Sequence, residues 1–150
     1  MSLIGNVHAS AVLVGGHGVL IRGASGSGKS ALVLALLAEP HSDGHLIADD
    51  QVLLAVEHDA LIASVPATIA GLLEIRGQGI VSRPHVSPAR IRLVVDLLPP
   101  EACPRLPSAD QMTAMVEGVA LPRLMLPIGA HDGALRVHAA LHRLAQAESW

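Results

Sequence analysis

Eight consecutive residues, Gly23-Ala24-Ser25-Gly26-Ser27-Gly28-Lys29-Ser30, have the types and order that phosphate chemistry needs. The glycines let the backbone wrap an anion with its N–H groups, the lysine brings a compact positive charge, and the serine hydroxyl is a hard ligand for a divalent cation. The run fits G-x-x-x-x-G-K-S in full and predicts a P-loop that binds ATP with Mg²⁺. In that reading Gly23, Ala24, Ser25, Gly26, Ser27, Gly28, Lys29 and Ser30 hold the phosphates. Lys29 neutralises the β- and γ-phosphates, and Ser30 ligates Mg²⁺. A helix opening at the end of the loop adds its dipole. The motif speaks for binding and is nearly silent on the reaction.

A second constellation is Asp49-Asp50, delivered by the apolar run Leu46-Ile47-Ala48. P-loop proteins place a Mg²⁺-directed aspartate at the end of such a strand. Two adjacent acids also permit a division of labour, one orienting a metal or an arginine and the other accepting a proton from an attacking hydroxyl. The residues alone leave open which acid does which.

The elements that must position these groups follow from pattern and punctuation. Val7–Val14 and Val19–Arg22 read as strands around a turn at residues 15–18, and the second strand feeds the P-loop. Ala31–Glu39 reads as a helix ended by Pro40. Leu46–Ala48 is a buried strand, Val52–Val56 and Leu61–Val65 a strand pair, and Leu72–Ile75 and Ile91–Leu97 further strands. Residues 82–88 and 99–107 are proline-bearing loops. Ser108 and Gln111 have capping-box spacing, which predicts a helix from Ser108 to Gly118 with Met112, Met115, Val116 and Val119 as its core stripe. Pro122–Ile128 reads as a strand and Ala134–Ala147 as a final helix. The expected fold is α/β, a P-loop core of mixed sheet with flanking helices, forming one domain over residues 1–150.

Composition excludes several classes. The 150 residues are 51% apolar and 15% charged, with Trp150 as the one aromatic residue, so the core is aliphatic. Interruptions by Asp, Arg, Gly and Pro keep apolar runs below spanning length. The first residues lack a signal-peptide pattern. These features predict a cytoplasmic protein with no membrane partner. A net charge of -3 without a basic block argues against nucleic acid. Cys103 is the one cysteine and reads as a loop thiol. His138 and His142, four apart on a helix, lack a third ligand at metal spacing.

With these motifs in place the chain resembles the catalytic domain of HPr kinase/phosphorylase. The resemblance rests on Asn6-Val7-His8 upstream of the P-loop, on Gly18–Ile21 leading into it, on Leu46–Asp50, and on the tail Leu124–Leu144. Its most specific part is Leu73-Glu74-Ile75-Arg76-Gly77-Gln78-Gly79-Ile80, similar to a signature that usually reads Glu-Ile-Arg-Gly-Leu-Gly-Ile. It implies a serine kinase acting on the phosphocarrier protein HPr in phosphotransferase-system regulation, with ATP and Mg²⁺, possible reverse phosphorolysis, and assembly into a homo-oligomer. It implies a base at Asp49, with His8 as its orienting partner. It also implies Mg²⁺ ligands at Ser30 and Glu74, and a charge-stabilising arginine at Arg105. Met1 falls just before the core, which suggests a short form lacking the family's N-terminal domain. The loop Pro127–Asp132 lacks the arginine that the family links to phosphorolysis, so the kinase direction is expected to dominate. The readings weighed against these are a non-catalytic P-loop nucleotide sensor and a small-molecule kinase.

Overall fold

The computed structural model describes residues 2–148; Met1, Ser149 and Trp150 lie outside the described residues. The first expected strand is two. Residues Ser2–Val7 (β1) and Ser10–Val14 (β2) are separated at His8-Ala9 because they pair with different neighbours. β1 runs antiparallel to Val52–Glu57 (β5), whereas β2 runs antiparallel to both His17–Arg22 (β3) and Gly44–Ala48 (β4). His8 therefore stands where the chain crosses between two parts of one sheet.

β5 turns back into Ala60–Ser64 (β6), and the ten-residue strand Ala89–Leu98 (β9) joins the two parts. Ala89 and Arg90 pair with β6, residues 91–96 run parallel to β3, and residues 94–98 run parallel to Val119–Pro127 (β11). The sheet order is β1-β5-β6-β9-β3-β2-β4, with β11 also on β9 and Thr113–Val116 (β10) on β11. Leu72–Ile75 (β7) and Gly79–Ser82 (β8) form a separate hairpin. Two helices, Lys29–Ala38 (α1) and Gly133–Glu148 (α2), complete the chain.

An aliphatic core forms on each side of β9. One packs α1 and α2 onto the sheet through Val33, Leu36, Leu93, Leu126, Val137 and Leu141. The other gathers Leu20, Ile47, Val52, Leu54, Leu61 and Val94. The neighbours Leu93, Val94 and Val95 are all buried, so both faces of β9 are covered, which explains its unbroken apolar run. Among the described residues no helix is long and apolar enough to cross a membrane.

The helix expected over Ser108–Gly118 does not form. Its capping box does: the Ser108 N–H donates to Gln111 Oε1 at 2.8 Å, and the Gln111 N–H donates to Ser108 Oγ at 3.3 Å. The box closes one turn and nothing follows it. Thr113, Val116 and Val119 are β-branched and favour a strand, and Glu117-Gly118, with φ of 51° and 78°, supply the two left-handed residues of a tight hairpin turn. β10 then alternates in period two. Ala114 and Val116 face the core, while Met115 is 65% exposed and leaves the expected stripe.

Candidate nucleotide and phosphotransfer site

β3, β4, β9 and β11 all point their carboxyl ends to one edge of the sheet, where ligands of open α/β sheets bind. The P-loop leaves β3 at this edge and α1 begins at Lys29. Gly28 caps the helix with φ 103°, a conformation strained for any residue with a Cβ. Gly23 is needed for a different reason: a Cβ there would lie 2.5 Å from Ser27 Oγ and 3.1 Å from Leu97 Cβ. Lys29 is buried, and its Nζ donates to the carbonyls of Gly23 at 2.8 Å and Ala24 at 3.1 Å. The ammonium is thereby fixed over the loop with one N–H remaining.

Asp49 directly follows β4, beside Ser10, the first residue of β2. It is 6% exposed. Its Oδ1 accepts from Ser10 Oγ at 2.8 Å and from Ser30 Oγ at 2.7 Å, and its Oδ2 accepts from the Glu74 N–H at 3.2 Å. This carboxylate is committed to holding the serine of the P-loop and the strand of the Glu-Ile-Arg signature.

Asp50 turns the other way. Its φ is 71°, in the left-handed region that aspartate tolerates better than most residues, and its side chain is 65% exposed. His8 Nδ1 lies 3.1 Å from Asp50 Oδ1 and 3.1 Å from the Asp50 carbonyl oxygen. Both are acceptors, so Nδ1 carries the hydrogen. Nε2 then faces Ser25 Oγ of the P-loop at 3.3 Å.

The resemblance pairs His8 with Asp49, whereas in the structure His8 is hydrogen-bonded to Asp50, and Asp49 is buried behind Ser30 and out of His8's hydrogen bonds. A cleft of about 440 Å³ collects His8, Ser25, Lys29, Ser30, Asp50, Glu74 and Arg76. Arg105 does not line it. That residue is exposed in the loop leaving β9, which is separated from the acidic strand β4 by β3 and β2. The guanidinium that does line the cleft is Arg76, on the turn after β7.

Ser30, Asp49 and Glu74 offer an all-oxygen donor set suited to Mg²⁺, which usually takes one or two protein oxygens and completes its shell with substrate phosphate and water. Among the described residues no three of His, Cys, Asp and Glu form a closed metal cage.

Two features escaped the sequence reading. Ser10 is fully buried in an apolar strand, and a lone hydroxyl in such a run was the available signal. Asp96, a lone acid in β9, accepts from Arg22 Nε at 2.7 Å, from Arg22 Nη2 at 2.8 Å and from Arg123 Nε at 2.6 Å. Burial pushes its carboxyl up, and the two guanidiniums together outweigh this and hold it below the usual range. The cluster ties β3, β9 and β11 together one residue before Gly23.

A strand feeding a glycine-rich cradle, a helix leaving it and an acidic strand end beside its serine define the P-loop class of α/β fold. The profile of the HPr serine kinase C-terminal domain matches residues 1–144, and the chain belongs to that family. It is 40% identical over 136 residues to the HPr kinase/phosphorylase of Geobacillus thermodenitrificans, covering 81% of this chain and 42% of that protein. It is 32% identical over 133 residues to the enzyme of that name from Lactobacillus acidophilus, covering 82% and 40%. The chain thus spans about two fifths of the length of these curated relatives. The solved structure of the HPr(Ser) kinase/phosphatase of Coxiella burnetii superposes with a TM-score of 0.80 at 26% identity, covering 98% of this chain and 100% of that one.

Proposed function

We propose that this chain is an ATP- and Mg²⁺-dependent protein kinase domain that phosphorylates a serine of the phosphocarrier protein HPr. The observation that carries the reading is the His8–Asp50 pair at 3.1 Å, held over the P-loop in one cleft with Lys29 and Glu74. The family and the names of its relatives supply the class of acceptor.

The triphosphate lies in the cradle with its terminal phosphate toward Asp50. The acceptor serine hydroxyl attacks that phosphorus in line. The new O–P bond forms as the bond to the β-phosphate oxygen breaks, ADP leaves, and the hydroxyl proton passes to the Asp50 carboxylate. His8, donating from Nδ1, keeps that carboxylate aimed, and its other nitrogen ties it to Ser25. Lys29 and Arg76 offset the charge on the transferring group. Ser30 and Glu74 would hold Mg²⁺, with Asp49 fixing the Ser30 hydroxyl from behind. When bound, the ion supplies neutralisation of phosphate oxygens. Most of the rate comes from position and charge, since phosphoryl transfer asks little covalent work of the protein.

A nucleotide sensor without catalysis gives no role to an exposed carboxylate in a left-handed conformation fixed by a histidine. Phosphorolysis would use the same groups with inorganic phosphate in place of ADP: a phosphate oxygen attacks the phosphoserine phosphorus, pyrophosphate forms, and the serine oxygen leaves with the proton that Asp50 returns. The loop Pro127–Asp132 brings no arginine to gather inorganic phosphate, which favours the forward direction. The deciding experiment incubates the protein with γ-labelled ATP, Mg²⁺ and purified HPr, and reads HPr by mass spectrometry. One added phosphate on a serine is expected. Unmodified HPr under saturating ATP would overturn the proposal.

A further inference from the structure

The P-loop carries three serines, and the fold treats them differently. Ser27 is buried with its hydroxyl enclosed. Ser30 donates to Asp49 Oδ1 at 2.7 Å. Ser25 is exposed in the catalytic cleft, and its Oγ lies 3.3 Å from His8 Nε2. The two oxygens of Asp50 keep the hydrogen of His8 on Nδ1, so Nε2 presents a lone pair and the Ser25 hydroxyl is the donor. Ser25, His8 and Asp50 thus form a hydroxyl–imidazole–carboxylate series drawn from the P-loop, the β1–β2 junction and the turn after β4. A serine hydroxyl alone is a weak nucleophile. An imidazole within reach of it, itself oriented by a carboxylate, is the arrangement that activates one.

We infer that Ser25 is itself a phosphoryl acceptor, modified from bound ATP when no other acceptor is docked. The inference rests on the nucleotide binding proposed above and not on the identity of HPr. Lys29 Nζ is held by the carbonyls of Gly23 and Ala24, so the charge that meets the β- and γ-phosphates lies beside Ser25 in the loop and shares its cleft. Ser25 Oγ attacks the terminal phosphorus, the bond from that phosphorus to the β-phosphate oxygen breaks, and ADP leaves. The hydroxyl proton passes to His8 Nε2, and Asp50 stabilises the resulting imidazolium. Asp50 Oδ1 takes the His8 hydrogen bond, which leaves Oδ2 for the proton of an outside serine. One histidine–carboxylate pair thereby serves two acceptors from different atoms. The phosphate on Ser25 carries about two negative charges and stays in the cleft with Lys29 and Arg76. It fills the place of the donor's terminal phosphate, so the modified protein admits ADP and excludes ATP. The step reverses when a β-phosphate oxygen of ADP attacks the phosphoserine phosphorus. The serine oxygen then leaves with the proton from His8, and ATP is regenerated.

The test incubates the full chain with Mg²⁺ and γ-labelled ATP, without HPr, and maps its peptides by mass spectrometry. One phosphate on Ser25 is expected, and excess ADP should remove it with the label recovered as ATP. Ser25→Ala should take up no label. His8→Gln should slow labelling about 10²-fold, the scale of a lost general base, while calorimetry still reports bound Mg·ATP. Unlabelled Ser25 in a preparation that phosphorylates HPr would overturn this inference and leave the proposed function standing. Label on another residue, or labelling of His8→Gln at the wild-type rate, would also overturn it. Labelled Ser25 beside unmodified HPr would overturn HPr as the acceptor and leave this inference in place. A wild type that binds no Mg·ATP would overturn both.

Discussion

At the scale of single residues, the two neighbouring aspartates show what a sequence can and cannot disclose. Gly23–Ser30 was legible because eight positions must agree for backbone amides, lysine and serine to converge on one anion. The division between Asp49 and Asp50 was not. It depends on a backbone reversal, φ 71° at Asp50, that follows a strand whose alternation would otherwise set only one of the two facing solvent. The consequence is testable by single-turnover kinetics with Mg·ATP binding measured in parallel. Asp50→Asn should lower the transfer rate by about 10³-fold, within the range of a lost general base, and leave Mg·ATP affinity nearly intact. Asp49→Asn should instead weaken binding and raise the Mg²⁺ concentration needed, because Ser30 loses its anchor. The reverse pattern would return the base to Asp49. Glu74 was reachable from the Glu-Ile-Arg signature. Arg76 belongs to the same signature, and its place in the cleft needed the turn after β7.

At the scale of elements, the hairpin of β10 and β11 is the clearest miss. A capping box, a methionine stripe and a glycine at the far end all agreed on a helix; the capping box and the glycine are present in the structure, and the stripe is broken at the exposed Met115. The β-branched residues and the Glu117-Gly118 turn outweighed them once β11 found a parallel partner in β9. Glu117 sits at φ 51°, where a glycine costs less. Glu117→Gly should therefore raise stability by up to about 1 kcal/mol, and Gly118→Val should lower it by about 1–3 kcal/mol, both read from urea unfolding. The three-strand clasp at Asp96 makes a second prediction. Its carboxyl is held below the unfolded value of 3.8. The stabilisation it gives is complete above that value and drains away as pH falls through the lower folded value. Asp96→Asn removes this dependence. It should cost about 2 kcal/mol at neutral pH, discounted from a fully buried pair because both guanidiniums reach solvent. Thermal melts of both proteins between neutral pH and pH 2–3 would show the gap narrowing in acid. A constant gap would mean that Asp96 does not titrate with folding.

At the scale of the whole molecule, the fold class was readable and the connectivity was not. Alternating apolar patterns, helix stops and the P-loop pointed to a mixed sheet with helices. Nothing in the composition disclosed that β1 and β2 part company at His8, because strand partners are chosen by residues far along the chain. That parting places the histidine at the cleft. Some apolar side chains stay at the surface, among them Ile80 at 71%, Leu106 at 93% and Leu135 at 70% exposed. With the family resemblance they support the proposal of a homo-oligomer, and light scattering should report a mass above 15.5 kDa. A monomer at high concentration would refute it. One strand finally governs how the molecule comes apart. β9 contributes to both cores and pairs along its length with β6, β3 and β11, so neither half can open while the other keeps its central strand. Amide deuterium uptake should be slowest at residues 93–95, should spread outward to the sheet edges, and at those central amides should proceed only through global opening.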